Sequence, residues 1–273
     1  MGDLREHLLS KAQGDLLPWA EQRAAAEAYA MTAGEIEDVA LEAGLLPARY
    51  QRNRKTLSTA DQLKLFRSTV AVIGCGGLGG YVVEELARLG VGRLKAIDPD
   101  IFEEHNLNRQ LMSTITALGQ PKVEAASARV AQINPAVQIL AFRDRFCKEN
   151  GKSLISGADV AVDALDNVTT RLELAGVCTD LGIPLVHGSI AGWYGQVVSQ
   201  FPGESTLQTI YGRCADGVGV EKELGNPSYT PAVVASLQVA EVCKILLGKG
   251  SPVRGAMLVV NLLDMEVSKF RIG

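Results

Sequence analysis

The chain is poor in the residues that staple or metallate a protein. Cysteine occurs five times in 273 residues and histidine three times. Cys75, Cys147, Cys178, Cys214 and Cys243 include no Cys-x-x-Cys pair, so neither a disulfide framework nor a thiolate zinc site is expected. His7, His105 and His187 lie far apart in sequence and read as hydrogen-bonded polar residues rather than metal ligands. A basic surplus is also missing: 27 Lys and Arg stand against 31 Asp and Glu, which argues against nucleic acid as a partner. The sequence offers no apolar run expected to cross a bilayer. Its N-terminus, MGDLREHLLSKAQGDLL, carries acids where a secretory signal would be apolar, so no membrane partner and a cytoplasmic location are expected. Methionine and tryptophan are sparse and form no stripe that would mark a cofactor box.

What is present is alternation. Residues 1–47 form a helical N-terminal extension, read as packing on a core rather than building its own. Within it, Ile36, Val39, Ala40 and Ala43 fall on one helical face. Thr32 with Glu35 spells a capping box, and Gly44 stands where the helix would stop. The basic stretch ARYQRNRKTLS leads into a short helix. Residues 48–273 then alternate strand-like runs (TVAVIG, RLKAID, AVQILAFR, ADVAVDAL, PLVHGSI) with helical ones. This order predicts an α/β, Rossmann-like, mainly parallel sheet with helices on both faces. Residues 203–230, rich in Gly and polar groups, read as a long loop. TPAVVASLQVAEVCKILLG reads as a helix, and AMLVVNLLDMEVSKFRI as two antiparallel C-terminal strands.

GCGGLGG sits between the first of those strands and a helix, with Gly74, Gly76 and Gly79 in G-x-G-x-x-G spacing and Gly77 beside them. Glycine permits the sharp turn and close approach that bring helix N-terminal N–H groups to phosphates. Asp98 ends the next strand, where a carboxylate can accept from ribose hydroxyls. This fingerprint fits an adenine nucleotide without choosing between NAD and ATP. Asn106, Arg109 and Gln110 follow the second strand, Lys122 opens a later helix, and Asp166 with Asn167 follows VAVDAL. All of these belong at the carboxyl edge of the sheet, where such folds bind ligands. Two cations, amides and a carboxylate beside a glycine loop suit a triphosphate: Arg grips phosphate oxygens, Lys supplies a point charge, and Asp can hold Mg²⁺. A surface salt-bridge network at the sheet edge is the plain structural alternative.

The ordered set RYQRN, GCGGLGG, IDPD, NLNRQ, GQPKVEAA, DALDN with Arg171, and PAVVASLQVAEVCKIL resembles the ubiquitin-activating-like superfamily, in its HesA/MoeB/ThiF branch of sulfur-carrier adenylyltransferases. The resemblance covers roughly residues 47–270 and makes residues 48–273 an ATP-binding adenylation domain. It implies that Asp98, with Asp100 nearby, holds the ribose. It implies that Asn106, Arg109, Gln110 and Lys122 hold the phosphates, that Asp166 binds Mg²⁺, and that Arg52 reaches the ATP of a partner subunit in a homodimer. The implied reaction joins the C-terminal glycine of a small ubiquitin-like sulfur-carrier protein ending in Gly-Gly to AMP and releases pyrophosphate.

Two departures from the family pattern are visible. Relatives holding a zinc carry two Cys-x-x-Cys pairs; here Tyr211 stands at the first position of the first pair, Cys214 at its second, and the C-terminus has no pair, so no zinc site is expected. Cys214 is left as a weak candidate for a covalent intermediate. Activation is expected to stop at the adenylate, with a separate protein donating sulfur. The rival readings are an NAD-dependent oxidoreductase, which leaves NLNRQ, Lys122 and Asp166 idle, a non-catalytic scaffold, and the same chemistry on a peptide or small cofactor precursor. Trp193 and Tyr194 are either acceptor contacts or sheet cover.

Overall fold

The computed structural model describes residues 2–212 and 224–272. The N-terminal extension holds three helices, α1 (Gly2–Lys11), α2 (Trp19–Tyr29) and α3 (Ala33–Glu42), and two short parallel strands, β1 (Leu16–Leu17) and β2 (Leu46–Pro47). Thr32 and Glu35 form the expected reciprocal capping box at the start of α3. Gly44 follows the helix at φ +84°, a conformation that glycine adopts without strain. One expectation is corrected here. The extension does build a small core of its own, with Leu4, Leu8, Leu17, Ala25, Ile36, Ala40 and Leu45 buried together. Leucines at positions 4 and 8 of a weakly patterned helix are too few to announce that core from sequence.

A 3-10 turn (Ala48–Tyr50) and α4 (Thr59–Phe66, capped by Ser58 with Asp61) lead into the main sheet. Its elements are β3 (Thr69–Ile73), α5 (Gly77–Leu89), β4 (Arg93–Ile97), α6 (Lys122–Ile133), β5 (Gln138–Phe142), α7 (Lys148–Ile155), β6 (Val160–Asp163), α8 (Val168–Leu181), β7 (Leu185–Ala191) and β8 (Tyr194–Gln200). There follow α9 (Thr206–Tyr211), α10 (Tyr229–Leu247), β9 (Ala256–Asn261) and β10 (Glu266–Arg271). The strand order is β10-β9-β8-β7-β6-β3-β4-β5. The five strands from β7 to β5 are parallel, and β8, β9 and β10 extend the sheet antiparallel. The expected α/β class, with its antiparallel C-terminal additions, is what forms. Part of the 203–230 segment is α9 rather than loop.

The sheet is buried on both faces because its strands have two apolar sides. Val70 and Val72 of β3 pack toward α5, α6 and α10, whereas Ala71 and Ile73 pack toward α7, α8 and α9. α10 is long and apolar enough by composition to cross a membrane, contrary to the expectation that no run approached this. Half of that apolar window is buried in the protein, where Val234, Ala235, Val239 and Val242 join the core, so it serves here as a core helix. The chain leaves β3 for β4 and β5 on one side, then returns to place β6 and β7 on the other. The carboxyl ends of β3 and β6 therefore flank a topological switch point, the place where this architecture opens a crevice.

Candidate active site

A cleft opens at that switch point, lined among others by Gly74, Gly76, Gly77, Asp98, Asp100, Arg109, Gln110, Lys122, Asp166 and Asn167. Ten residues singled out from sequence thus meet in one cavity, although they come from three separate connections. Gly74 has φ +95°, and a Cβ there would lie 2.6 Å from the Ala164 carbonyl oxygen. Gly76 and Gly77 differ: a Cβ would find ordinary contacts, no nearer than 3.5 Å and 3.7 Å. The chain's own packing does not require glycine at those two positions, while their place in the cleft leaves room for something else to approach. The first helical bond of α5 runs from Gly80 N–H to the Gly76 carbonyl, so the N–H groups before it have no partner within the helix.

Asp98 is buried, accepting from Cys75 N–H (2.6 Å) and Asp100 N–H (2.8 Å). Burial pushes its carboxyl above the usual range, opposed by the Lys122 ammonium. Lys122 is also buried; its Nζ donates to Asp100 at 3.2 Å, and its backbone N–H to the Asp100 carbonyl. Arg109 donates to the His105 carbonyl (3.1 Å) and Asn108 Oδ1 (2.9 Å), and no carboxylate pairs with it among the described residues. Asp166 is exposed to the cleft and has no hydrogen bond or ion pair among the described residues. Gln110 is 6% exposed with an unpartnered Oε1. A buried acceptor without a partner costs about 1–3 kcal/mol, so this amide is set up for a donor that the chain itself does not supply.

Three expected site residues lie outside the cleft of this chain. Gly79 is outside the cleft: a Cβ there would fall 1.7 Å from the Gly74 carbonyl oxygen, so this glycine lets α5 pack on its own approach turn. Asn106 is buried away from the cleft, its Oδ1 accepting from Glu103 N–H and its carbonyl from the N–H groups of Arg109 and Gln110. It shapes the turn that carries Arg109. Arg52 is exposed and does not line the cleft of its own chain. Asn167 lines the cleft, but its Oδ1 caps α8 by accepting from Thr170 N–H at 2.8 Å. Cys214 lies outside the described residues.

Ser189, inside the segment HGSIAGWYGQVVSQFPG that the sequence offers as a groove for the acceptor tail, lines the cleft, whereas sequence reasoning missed Asp144, Arg145 and Asn226, which line it too. Asp144 and Arg145 follow β5, and the rule that strand carboxyl ends carry ligands would have found them. Asn226 had no such signal. Its carbonyl accepts from Asn108 Nδ2 (3.1 Å), and its Oδ1 is buried without a partner. Arg171, named from sequence only as part of a motif, is buried and donates to Asp163 Oδ2 (3.0 Å) and the Leu165 carbonyl (2.7 Å). The second bond fixes the turn just before Asp166.

A glycine turn at a switch point, backed by cations on one side and a carboxylate with no partner among the described residues on the other, defines a nucleotide-binding enzyme of the α/β class. The chain belongs to the ThiF family, whose sequence model matches residues 50–273. It is an adenylyltransferase, and the oxidoreductase reading is set aside. It is 36% identical over 221 residues to the SAMP-activating enzyme E1 of Haloferax volcanii, covering 80% of this chain and 82% of that one. It is also 36% identical over 237 residues to the sulfur carrier protein adenylyltransferase of Thermus thermophilus, covering 82% and 86%. Among solved structures, E. coli MccB with ATP has the same fold at a TM-score of 0.71 and 19% identity, covering 82% of this chain and 72% of that one.

Proposed function

We propose that this protein uses Mg-ATP to adenylate the C-terminal glycine carboxylate of a small ubiquitin-like sulfur-carrier protein, releasing pyrophosphate and leaving an acyl-adenylate for a separate sulfur donor. Support for the acceptor comes from relatives named for activating such carriers. The observation that carries the chemistry is the cleft itself, with Arg109 and Lys122 on one side and Asp166, unpaired among the described residues, on the other. The nucleophile is an anion approaching a polyanion. Two unit charges 4 Å apart repel by about 4 kcal/mol at an effective dielectric of 20, roughly a thousandfold in rate if uncompensated. Arg109 and Lys122 offset that repulsion, and no general base is required because the carboxylate arrives ionised.

The residues fit the groups this reaction needs. Gly76 and Gly77 leave space at the mouth of α5 for phosphate, and the orphaned Gln110 Oε1 can accept from a nucleotide donor. Asp98 stands where it can receive a ribose hydroxyl. Asp166 is a hard oxygen ligand with no competing partner among the described residues, which suits Mg²⁺ held jointly by one carboxylate and phosphate oxygens. Bound there, Mg²⁺ would draw charge from the phosphate oxygens. The working unit proposed is a cytoplasmic homodimer in which Arg52 serves the neighbouring subunit.

Carrier-dependent ATP–pyrophosphate exchange tests the reading, using candidate carriers that end in Gly-Gly. Lys122→Ala and Asp166→Ala should each lower exchange by at least a hundredfold, roughly 2.7 kcal/mol of transition-state stabilisation. Exchange that persists undiminished in Asp166→Ala removes the metal role. Exchange with a short peptide or a small carboxylic acid, but with no carrier protein, changes the acceptor.

A further inference from the structure

The far wall of the cleft is backed by a buried polar chain that the reaction as described does not use. Asp163, at the end of β6 and fully buried, accepts from Leu165 N–H on Oδ1 (3.0 Å). Its Oδ2 accepts from Arg171 Nε (3.0 Å) and from His187 Nδ1 (2.7 Å). Burial, aided by Arg171, holds the His187 pKa below its ordinary value. A neutral ring with its proton on Nδ1 leaves Nε2 as an acceptor, so the Tyr211 hydroxyl donates to it at 3.0 Å. The Tyr211 oxygen can then only accept, from Gln196 Nε2 and from the Ser189 hydroxyl at 3.3 Å. The direction of every bond in the chain is set by the carboxylate at its start. The Tyr211 ring also lies under the Arg171 guanidinium, 4.8 Å from ring centre to Cζ.

Arg171 and Ser189 are the members of this chain that line the cleft. Ser189 is on β7, and β6 and β3 separate β7 from β4, whose end carries Asp98. Three inter-strand spacings come to roughly 14 Å, so Ser189 stands across the cleft from the ribose acid. A tail that ends in glycine offers no side chain to grip near the reacting carbon. Recognition there must use main-chain N–H groups, carbonyls and the carboxylate. A serine hydroxyl free to rotate makes a poor template for such groups. Here its proton is drawn to Tyr211, which leaves its lone pairs for a main-chain N–H.

Building on the adenylation reading, we propose that Tyr211, oriented by His187 and Asp163, is a positioning residue: it fixes Ser189 and Arg171 as a subsite for the extended, side-chain-free end of the acceptor. The nucleotide half of the cleft does not depend on the Tyr211 hydroxyl, because Arg171 is held to the turn before Asp166 by its own bonds to Asp163 and the Leu165 carbonyl.

The test is exchange kinetics on Tyr211→Phe, Ser189→Ala and the double variant, with folding checked by thermal melting. Tyr211→Phe keeps the ring under Arg171 and removes only the hydroxyl. Its KM for the carrier should rise about tenfold while its KM for ATP is unchanged. Ser189→Ala, which leaves the bonds joining Asp163, His187 and Tyr211 in place, should give the same split, and the double variant should be no worse than either single one. An unchanged carrier KM, an equal rise in the ATP KM, or additive effects overturn the proposal. If Tyr211→Phe fails to fold, Ser189→Ala decides by the same split of KM values. Wild-type protein that binds ATP but exchanges with no carrier sinks the acceptor reading and this subsite with it. That outcome differs from exchange that is present and indifferent to Tyr211.

Discussion

His187 and Asp163 tie the site to acidity. Burial pushes the Asp163 carboxyl up, but Arg171, His187 and their hydrogen bonds outweigh it and hold the pKa below the usual carboxylate value. Its contribution to stability is therefore present above an ordinary aspartate pKa, near 3.9, and is lost as pH falls through the lower native value. For His187 the native pKa is depressed as well, chiefly by burial. Between about pH 6.5 and that lower value the unfolded chain takes up a proton that the native fold refuses. Stability should fall on acidification with a slope of at most about 1.4 kcal/mol per pH unit for this one proton. Denaturant titrations from pH 7 to 5 on wild type and His187→Gln check the sign: the variant should be the flatter of the two, and identical slopes would remove His187 as the titrating group. None of this was legible in the sequence. Asp163 and His187 lie 24 positions apart, and only the pairing of β6 with β7 brings them opposite each other. The sequence did allow the coarser statement that His187 is a hydrogen-bonded polar residue.

At the scale of elements, the connection from β3 to α5 separates two uses of glycine that the spacing alone runs together. At Gly79 the obstacle is the chain's own backbone, so an alanine must push α5 off β3. At Gly76 the nearest atom to an added Cβ is the end of the Gln110 side chain at 3.5 Å, which can give way. Gly79→Ala should lower unfolding stability by about 1–3 kcal/mol or more, as an overpacked contact does, whatever ligand is present. Gly76→Ala should keep near-native stability and lose ATP affinity. Chemical denaturation set beside calorimetric titration with Mg-ATP separates the two, and a Gly76→Ala protein that binds ATP normally would show that nothing approaches that turn. Elements with strong local signals were legible here: the capping box at Thr32, the β-branched run of β3 and the helical character of α10. Those that were missed are short. α7 and α9 have 8 and 6 residues, lengths at which a helix depends on tertiary packing rather than on its own pattern. Leu154 and Ile155 of α7 and Leu207 of α9 supply that packing from a cluster the local sequence does not reveal.

At the scale of the whole molecule, the question is how a residue in the N-terminal linker can serve the cleft. Tyr50 is buried; its hydroxyl donates to Glu37 (2.7 Å) and accepts from Asn134 Nδ2 (2.7 Å). A Cβ on Gly90 would lie 2.4 Å from the same hydroxyl. Arg49 joins Glu37, Gln22 and Asn134 in one polar knot that fastens the extension to the ends of α5 and α6. Those are the ends away from the cleft, since α5 begins at Gly77 and its 13 residues carry the chain about 20 Å before Gly90. Arg52, two residues beyond Tyr50, is thus held near the amino edge of the sheet, outside the cleft of its own chain, and in the proposed homodimer it would act on the neighbour's nucleotide. A two-fold dimer would place each Arg52 at the other subunit's cleft if the interface sets the Arg52 edge of each subunit against the cleft edge of its partner. Mixing then gives a sharp expectation. Arg52→Ala and Asp166→Ala chains, each inactive alone, should regain about a quarter of wild-type exchange after random subunit exchange, because half of the dimers are mixed and each mixed dimer has one intact site. No recovery despite subunit exchange demonstrated by differential tagging would mean that Arg52 does not act across the dimer, and the knot around Tyr50 would then serve only to hold the extension in place.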